Sequence, residues 1–279
     1  MTLRFDKVSK RFGALIAIED VSLSFAPGRI YSVIGPNGAG KSTLINMAAG
    51  SYSLSGGRIL LGDIELSRLK KHQISHAGVG RTYQNIRLFD AMTVKENLEV
   101  ALFHRDFPKL AAEIFLPRRA RAIRAAREAQ CRAMLARFEL EPQAEELAAN
   151  LPYGKQKLLE IARAMMSEPR ALMLDEPAAG LNRAESAELQ QRLLGLRRPD
   201  RVILIVEHDM NLVMALSDHI VVMHRGRLLF EGSPGEVRDN KDVQEAYLGS
   251  PDEHRTIRSA ARHRANRVRI RAGRDIARH

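Results

Sequence analysis

Arg29 to Ile34 (RIYSVI) runs into Gly35-Pro36-Asn37-Gly38-Ala39-Gly40-Lys41-Ser42 and then into Leu44 to Gly50 (LINMAAG). The first segment is short, apolar and rich in β-branched and aromatic residues, which predicts a buried strand. The last predicts a helix stopped by Gly50. Between them stands G-x-x-x-x-G-K-[ST] in full. Its glycines let successive backbone N–H groups curl round a phosphate with no Cβ in the way. The following helix adds the positive end of its dipole. In such a loop the lysine reaches the β- and γ-phosphates and the serine holds Mg2+, so Lys41 and Ser42 are the first candidate site residues. Strand, glycine loop and helix open an α/β unit.

The pattern continues on both sides. Leu3 to Val8 alternates apolar and polar residues as a half-buried strand does, Ile16 to Phe25 repeats this, and Pro27-Gly28 marks a turn. From Val94 to Leu147 the chain is rich in Ala, Arg, Glu and Leu and poor in β-branched residues. Arg118 to Phe138 there predicts one long charged helix of a separate helical subdomain. Beyond Gly154, Leu158, Ile161, Ala162 and Met165 recur at the spacing of one apolar helix face, which Pro169 ends. Ala171 to Leu174 and Val202 to Val206 predict buried strands, and His219 to Phe230 a hairpin around Arg225-Gly226.

Composition excludes several classes. With 279 residues, 45% hydrophobic and 28% charged, the chain can bury a sizeable core and is not globally disordered. A single cysteine, Cys131, builds neither an intrachain disulfide nor a thiolate zinc site. It reads as a small helix residue. His72 and His76, four apart with no carboxylate cluster, read as surface residues rather than metal ligands. The opening MTLRFDKVSK lacks an apolar signal region and no run approaches 18 apolar residues, so the chain reads as cytosolic. The net charge of +11 invites a nucleic-acid partner, but residues 251–279 hold nine Arg against three acids and leave a modest +5 for the rest. Aromatics are 5% with no Trp, too few for a base-stacking platform, so no nucleic acid is expected. The tail 251–279 is expected to be disordered, with anionic lipid head groups as one thing it could touch.

Three further stretches carry chemistry. Leu174-Asp175-Glu176 ends an apolar strand with two carboxylates at the edge where α/β ligands sit. Asp175 suits Mg2+, and Glu176 suits the polarising of an attacking water. Glu207-His208-Asp209 follows the next strand, 33 residues after Asp175, which brings His208 toward the same edge as a γ-phosphate contact. A structural or surface histidine is its bland alternative. Gln84, in Arg81-Thr82-Tyr83-Gln84-Asn85, offers a neutral amide to Mg2+ or to the water and can sense the γ-phosphate. Alone it would read as a surface amide.

Phosphate loop, Gln84, the turn Leu151-Pro152-Tyr153-Gly154-Lys155-Gln156, LMLDEP and VEHDM occur in that order. Together they resemble the nucleotide-binding subunit of an ABC transporter, over about residues 2–249. RTYQNIRLFDAMTVKENL, LEIARA, LDEPAAGLN, VEHDMNLVM and EAYLG are similar to the ATP-binding subunits of branched-chain, or hydrophobic, amino acid importers. The resemblance implies a RecA-like P-loop NTPase core with an antiparallel β portion and an inserted α-helical subdomain. It assigns residues 1–250 to an ABC ATPase domain, with the core at about 1–90 and 158–250 and the helical subdomain at about 91–157. It implies a Mg2+-dependent ATPase on the cytoplasmic face of the inner membrane. Two integral-membrane permease subunits, a second and different ABC ATPase subunit, and indirectly a substrate-binding protein are the implied partners. Gly35, Asn37, Gly38, Ala39, Gly40, Lys41, Ser42 and Thr43 would bind phosphate. Ser42, Gln84 and Asp175 would serve the metal, and Glu176 would be the general base. Phe12 matches the aromatic that stacks on adenine, with a core phenylalanine as its alternative. Gly180-Leu181-Asn182 matches a loop crossing the ATPase dimer.

In this family the turn before the helix completes the partner's ATP site in trans. Here it would contribute Pro152, Gly154 and Lys155. Pro152 stands where the family has a serine that donates to the γ-phosphate, and proline has neither hydroxyl nor N–H. Lys155 replaces the usual glutamine and its charge could compensate in part. Two unequal ATP sites are the expectation. A urea or amide importer, a lipopolysaccharide exporter and a soluble ABC ATPase are the rival readings of the same motifs.

Overall fold

In the computed structural model, residues 1–106 and 117–248 are described. The Arg-rich tail lies outside them. The described residues form ten strands and nine α-helices.

Strands β1 (Leu3–Phe12), β2 (Leu15–Phe25), β4 (Gly56–Leu61) and β5 (Ile64–Glu65) form an antiparallel sheet in the order β2-β1-β4-β5. The alternation read in Leu3 to Val8 continues to Phe12, with register shifts near Lys7 and Asp20, both at φ 48°. The second sheet has the order β10-β9-β3-β8-β7-β6. It comprises β3 (Ile30–Ile34), β6 (Val79–Arg81), β7 (Ala171–Asp175), β8 (Val202–Val206), β9 (His219–His224) and β10 (Arg227–Gly232). All its pairings are parallel except the β9–β10 hairpin.

The parallel strands are buried on both faces, as their unbroken apolar runs require. On one face Met173, Val202, Leu204 and Val206 join Val33, helix α1 (Lys41–Ala48) and the antiparallel sheet in one apolar cluster. On the other, Leu172, Leu174, Ile203 and Ile205 pack with the helices α3 (Val94–Asp106), α4 (Pro117–Phe138), α5 (Tyr153–Met165), α6 (Arg183–Leu194) and α7 (Met210–Leu216). Period two along each strand decides which layer it faces. Helix α4 covers the expected charged helix, and its Cys131 lies fully buried between helices. The short α2 (Lys71–His76) carries His72 and His76 on its exposed side. The described chain ends with α8 (Pro234–Asp239) and α9 (Lys241–Leu248), packed on β9 and β10.

Four neighbouring strands, β3, β8, β7 and β6, run parallel. Their carboxyl ends therefore share one edge. The phosphate loop leaves β3, His208 follows β8, Asp175 ends β7 and Gln84 lies three residues past β6.

Candidate functional site

Helix α1 starts at Lys41, three residues earlier than the apolar run suggested, with Gly40 as its cap at φ 100°. A Cβ on Gly40 would lie 2.7 Å from the Ala17 carbonyl, and one on Gly35 would lie 2.1 Å from the Met223 carbonyl. The loop is thus wedged between β2 and β9 and admits only glycine at these two places. Gly38, at φ 79°, has open space around it and faces solvent with Asn37. Ala39 is buried, and its carbonyl accepts from Gly226 N at 3.1 Å, so the β9–β10 turn braces the loop from below. Lys41 Nζ donates to Gly35 O at 2.6 Å and to Pro36 O at 3.0 Å. Its ammonium is held inside the curl of the loop, where a phosphate would be met by charge and by backbone N–H together. Thr43 follows in the first turn of α1.

Ser42 Oγ donates to Asp175 Oδ1 at 3.4 Å. The other carboxylate oxygen faces Arg81 Nη2 at 3.5 Å in an ion pair buried on both sides. Burial pushes the Asp175 carboxyl above its ordinary pKa, and Arg81 pulls it back down. Arg81 is itself held by Asn46 Oδ1 at 2.8 Å and Ser51 Oγ at 3.3 Å. A hydroxyl, a carboxylate and an amide are hard oxygen donors of the kind Mg2+ takes, and their small number suits an ion that keeps waters and substrate phosphates as its other ligands.

Glu176 sits at φ 48°, in the left-handed region that a non-glycine residue rarely adopts. The bend turns its side chain out of the strand line while its N–H still donates to Val206 O at 2.9 Å. Gln84 Nε2 donates to Glu176 Oε2 at 3.2 Å, and His208 Nδ1 stands 4.0 Å from the same oxygen. Residues distant in sequence, at 84, 176 and 208, therefore meet at one carboxylate, one residue from Asp175.

Two side chains that the motifs did not single out hold this edge together. Glu207 is buried, and it accepts from Ala178 N and His208 N, each at 2.8 Å, and from Asp209 N at 3.2 Å. It joins the turn after Glu176 to the loop of His208. Thr82 Oγ1 accepts from Asp175 N at 3.3 Å, joining β7 to the start of the Gln84 loop. An acidic residue directly before His208 was the available signal for the first; Thr82 offered none.

Phe12 ends β1 half exposed, edge-on to Tyr52 at 5.1 Å, with Lys10 Nζ 4.8 Å from its ring centre. It is not a core phenylalanine. Its strand partner Leu15 lies two residues from Ala17, which touches the loop at Gly40.

The turn at 152–155 has different neighbours. Pro152 caps α5 at φ −53° and ψ 148° with no side-chain hydrogen bond. A Cβ on Gly154 would lie 2.8 Å from Glu185 Oε1, and one on Gly180, at φ 81°, would lie 2.9 Å from Tyr153 Cε1. Lys155 Nζ pairs with Glu188 at 3.3 Å and reaches Glu139 O at 3.5 Å, so the compensating charge expected of it is already engaged within the chain.

The chain is similar to known proteins over most of its length. The ABC transporter family model matches residues 18–179, and the model described as branched-chain amino acid ATP-binding cassette transporter matches residues 227–253. The chain is 45% identical to the high-affinity branched-chain amino acid transport ATP-binding protein BraF of Pseudomonas aeruginosa, over 88% of this chain and 97% of that protein. It is 47% identical to LivG of Escherichia coli, which carries the same description, over 86% of this chain and 94% of that protein. The lipopolysaccharide export system ATP-binding protein LptB of Escherichia coli is 29% identical over 89% of this chain and 97% of that protein. Among solved structures, the ADP conformation of MJ1267, an ATP-binding cassette of an ABC transporter, superposes with a TM-score of 0.75 at 30% identity, covering 90% of this chain and 100% of that one. The ABC transporter model matches more than half the chain, over a stretch that includes the phosphate loop and both carboxylates, and two ATP-binding proteins of branched-chain amino acid transport are 45% and 47% identical over most of it: this chain belongs to the ATP-binding subunits of ABC transporters.

Proposed function

We propose that the chain is the ATP-hydrolysing subunit of an importer for branched-chain or other hydrophobic amino acids, seated peripherally on the cytoplasmic side of two membrane-spanning permease subunits. Identity of 45% and 47% to two ATP-binding proteins of branched-chain amino acid transport favours this cargo over lipopolysaccharide, whose relative stands at 29%. Among the described residues no helix is long and apolar enough to cross a membrane, so permease chains would supply the passage.

The observation that carries the chemistry is the meeting of Gln84 and His208 at Glu176, beside the Ser42–Asp175 contact. In this reading the backbone of Gly35, Asn37, Gly38, Ala39 and Gly40 cradles the phosphates of ATP, with Lys41 on the β- and γ-groups, Thr43 near the α-phosphate and Phe12 on the adenine. Ser42, Gln84 and Asp175 would hold Mg2+. When bound, that ion neutralises charge building on the phosphate oxygens. Glu176 is the general base: its carboxylate takes a proton from a water whose oxygen attacks the γ-phosphorus, and the bond to the ADP oxygen breaks with its electron pair leaving on ADP. Gln84 orients that water and His208 contacts the γ-phosphate.

The second ATPase subunit is proposed to be a different chain. The Lys41–Glu176 site would then be completed by the partner's turn, while the partner's phosphate loop would face Pro152, Gly154 and Lys155. With no hydroxyl at Pro152 and Lys155 held by Glu188, that second site is the weaker one.

Glu176→Gln in the full transporter tests the assignment. It keeps the shape of the site and removes the base, so ATP turnover should fall by at least about a hundredfold while nucleotide still binds. Leucine uptake should fall with it. Turnover that survives the substitution would refute Glu176 as base, and uptake of labelled urea in place of leucine would refute the cargo.

A further inference from the structure

Helix α5 carries Lys157, Glu160 and Arg163 at three-residue spacing. They form a stripe beside the apolar positions Leu158, Ile161, Ala162 and Met165. All three reach the loop that holds Gln84. Lys157 Nζ donates to Gln84 O at 3.4 Å. Glu160 Oε1 accepts from Tyr83 N at 3.2 Å and from Arg87 N at 3.4 Å. Arg163 Nη2 donates to Arg87 O. Lys157 is only 2% exposed and Glu160 only 3%.

Charges buried this deep carry a desolvation cost that partners must offset. The packing of α5 does not call for them, because its apolar face already fills the core against the sheet. What they do make is a clamp on five residues of backbone. Tyr83 completes it from outside, its ring lying under Arg81 at 4.6 Å and Arg87 at 4.4 Å. The one side chain of the loop that reaches the reacting edge is Gln84, at Glu176.

We propose that Glu160, assisted by Lys157, is a positioning residue for ATP hydrolysis. By fixing the backbone of residues 83–87 against α5 it sets the Gln84 amide on Glu176. The proposal rests on the reading of Gln84 and Glu176 given above. Glu160 is buried on α5, its contacts are to the backbone of the loop, and it acts only through Gln84.

The test uses the full chain in its membrane complex, with steady-state ATP hydrolysis as the readout. Glu160→Ala removes the acceptor for two half-buried N–H groups. It should lower kcat about 10- to 100-fold with KM for ATP unchanged within about threefold. Glu160→Gln retains a carbonyl acceptor and should restore kcat to within about threefold of the parent. Combining Glu160→Ala with Gln84→Ala should cost little beyond Gln84→Ala alone, since the two act on one contact. An unaltered kcat in Glu160→Ala, a Glu160→Gln variant as poor as the alanine, or additive losses in the double variant would overturn the proposal. If Glu160→Ala does not yield folded protein, Lys157→Met decides. It should lower kcat about 3- to 10-fold at constant KM, and an unchanged kcat would overturn the clamp. A Gln84→Ala variant with normal kcat overturns the reading of Gln84 and the clamp with it, whereas a slow Gln84→Ala beside a normal Glu160→Ala overturns the clamp alone.

Discussion

At the scale of one residue, Pro152 is the position where chemistry and local structure separate most cleanly. Its φ of −53° and ψ of 148° lie in the extended region that serine adopts without strain. It also caps α5, a place where serine is favoured because its hydroxyl accepts from the first free N–H groups of the helix. Pro152→Ser should therefore leave the fold intact. The cap contributes about 0.5–1 kcal/mol, close to what is lost by freeing the unfolded chain from proline. Any change in turnover then reports the new hydroxyl in the partner's ATP site. A charge-assisted hydrogen bond of about 1.5–3 kcal/mol corresponds to a rise of up to ten- to a hundredfold at that site. Total ATP turnover of the complex should rise; a complex hydrolysing at the parent rate would mean that the two sites are not limited by this residue. Lys155 does not blur the result, since its charge is spent on Glu188.

At the scale of elements, Arg81 ties three of them together. Its guanidinium joins the end of β6 to Asn46 of α1 and to Asp175 of β7. Burial lowers the pKa of Arg81 and raises that of Asp175, and each charge offsets part of the other's cost of burial. Arg81→Met keeps the bulk and strands the carboxylate. Breaking a buried pair from one side costs about 3–5 kcal/mol, and urea unfolding should show a loss of that size. A loss under about 1 kcal/mol would mean that the pair is solvated in solution. Such links are where a linear reading stops. The phosphate loop, LMLDEP and VEHDM were legible because each is a strand followed by a loop, and parallel strands bring their carboxyl ends together. Strands β1 and β2 were legible from period two, β3, β7 and β8 as apolar runs and α5 from period 3.6, apart from ends such as Phe12 and Lys41, whereas β4 to β6 and the helices α6 to α9 gave no signal that was read. The burial of Glu160 and Lys157 was not, because the apolar face of α5 accounts for its periodicity and charged residues between apolar ones read as solvent-facing. Nor was the role of Glu207, whose partners are backbone N–H groups on two separate loops. Side chains that hold backbone leave no spacing to recognise.

At the scale of the whole molecule, the helices and the sheet share one apolar cluster. Leu172, Leu174, Ile203 and Ile205 of the strands pack in the same group as Leu98 of α3, Cys131 and Phe138 of α4 and Leu158 of α5. Because these side chains lose their contacts together, the helices and the sheet should unfold in one step. The sole cysteine of the chain provides the probe, since Cys131 lies fully buried within that cluster. Burial pushes its thiol from 9.0 up to about 11. The native thiol is therefore both inaccessible and un-ionised near neutral pH, and the reactive thiolate forms only on opening. The raised value also sets a sign for alkaline stability. Below pH 9 the native and unfolded thiols are both protonated and the group is neutral to folding; between about 9 and 11 the unfolded thiol loses its proton first, so stability falls as pH rises. In increasing urea at pH 8, labelling of Cys131 by a thiol reagent should rise with the same midpoint as the loss of helical circular dichroism. Complete labelling well below that midpoint, with the sheet and nucleotide binding intact, would show that the helices open as a unit of their own and that the shared cluster does not couple them to the ATP-binding edge.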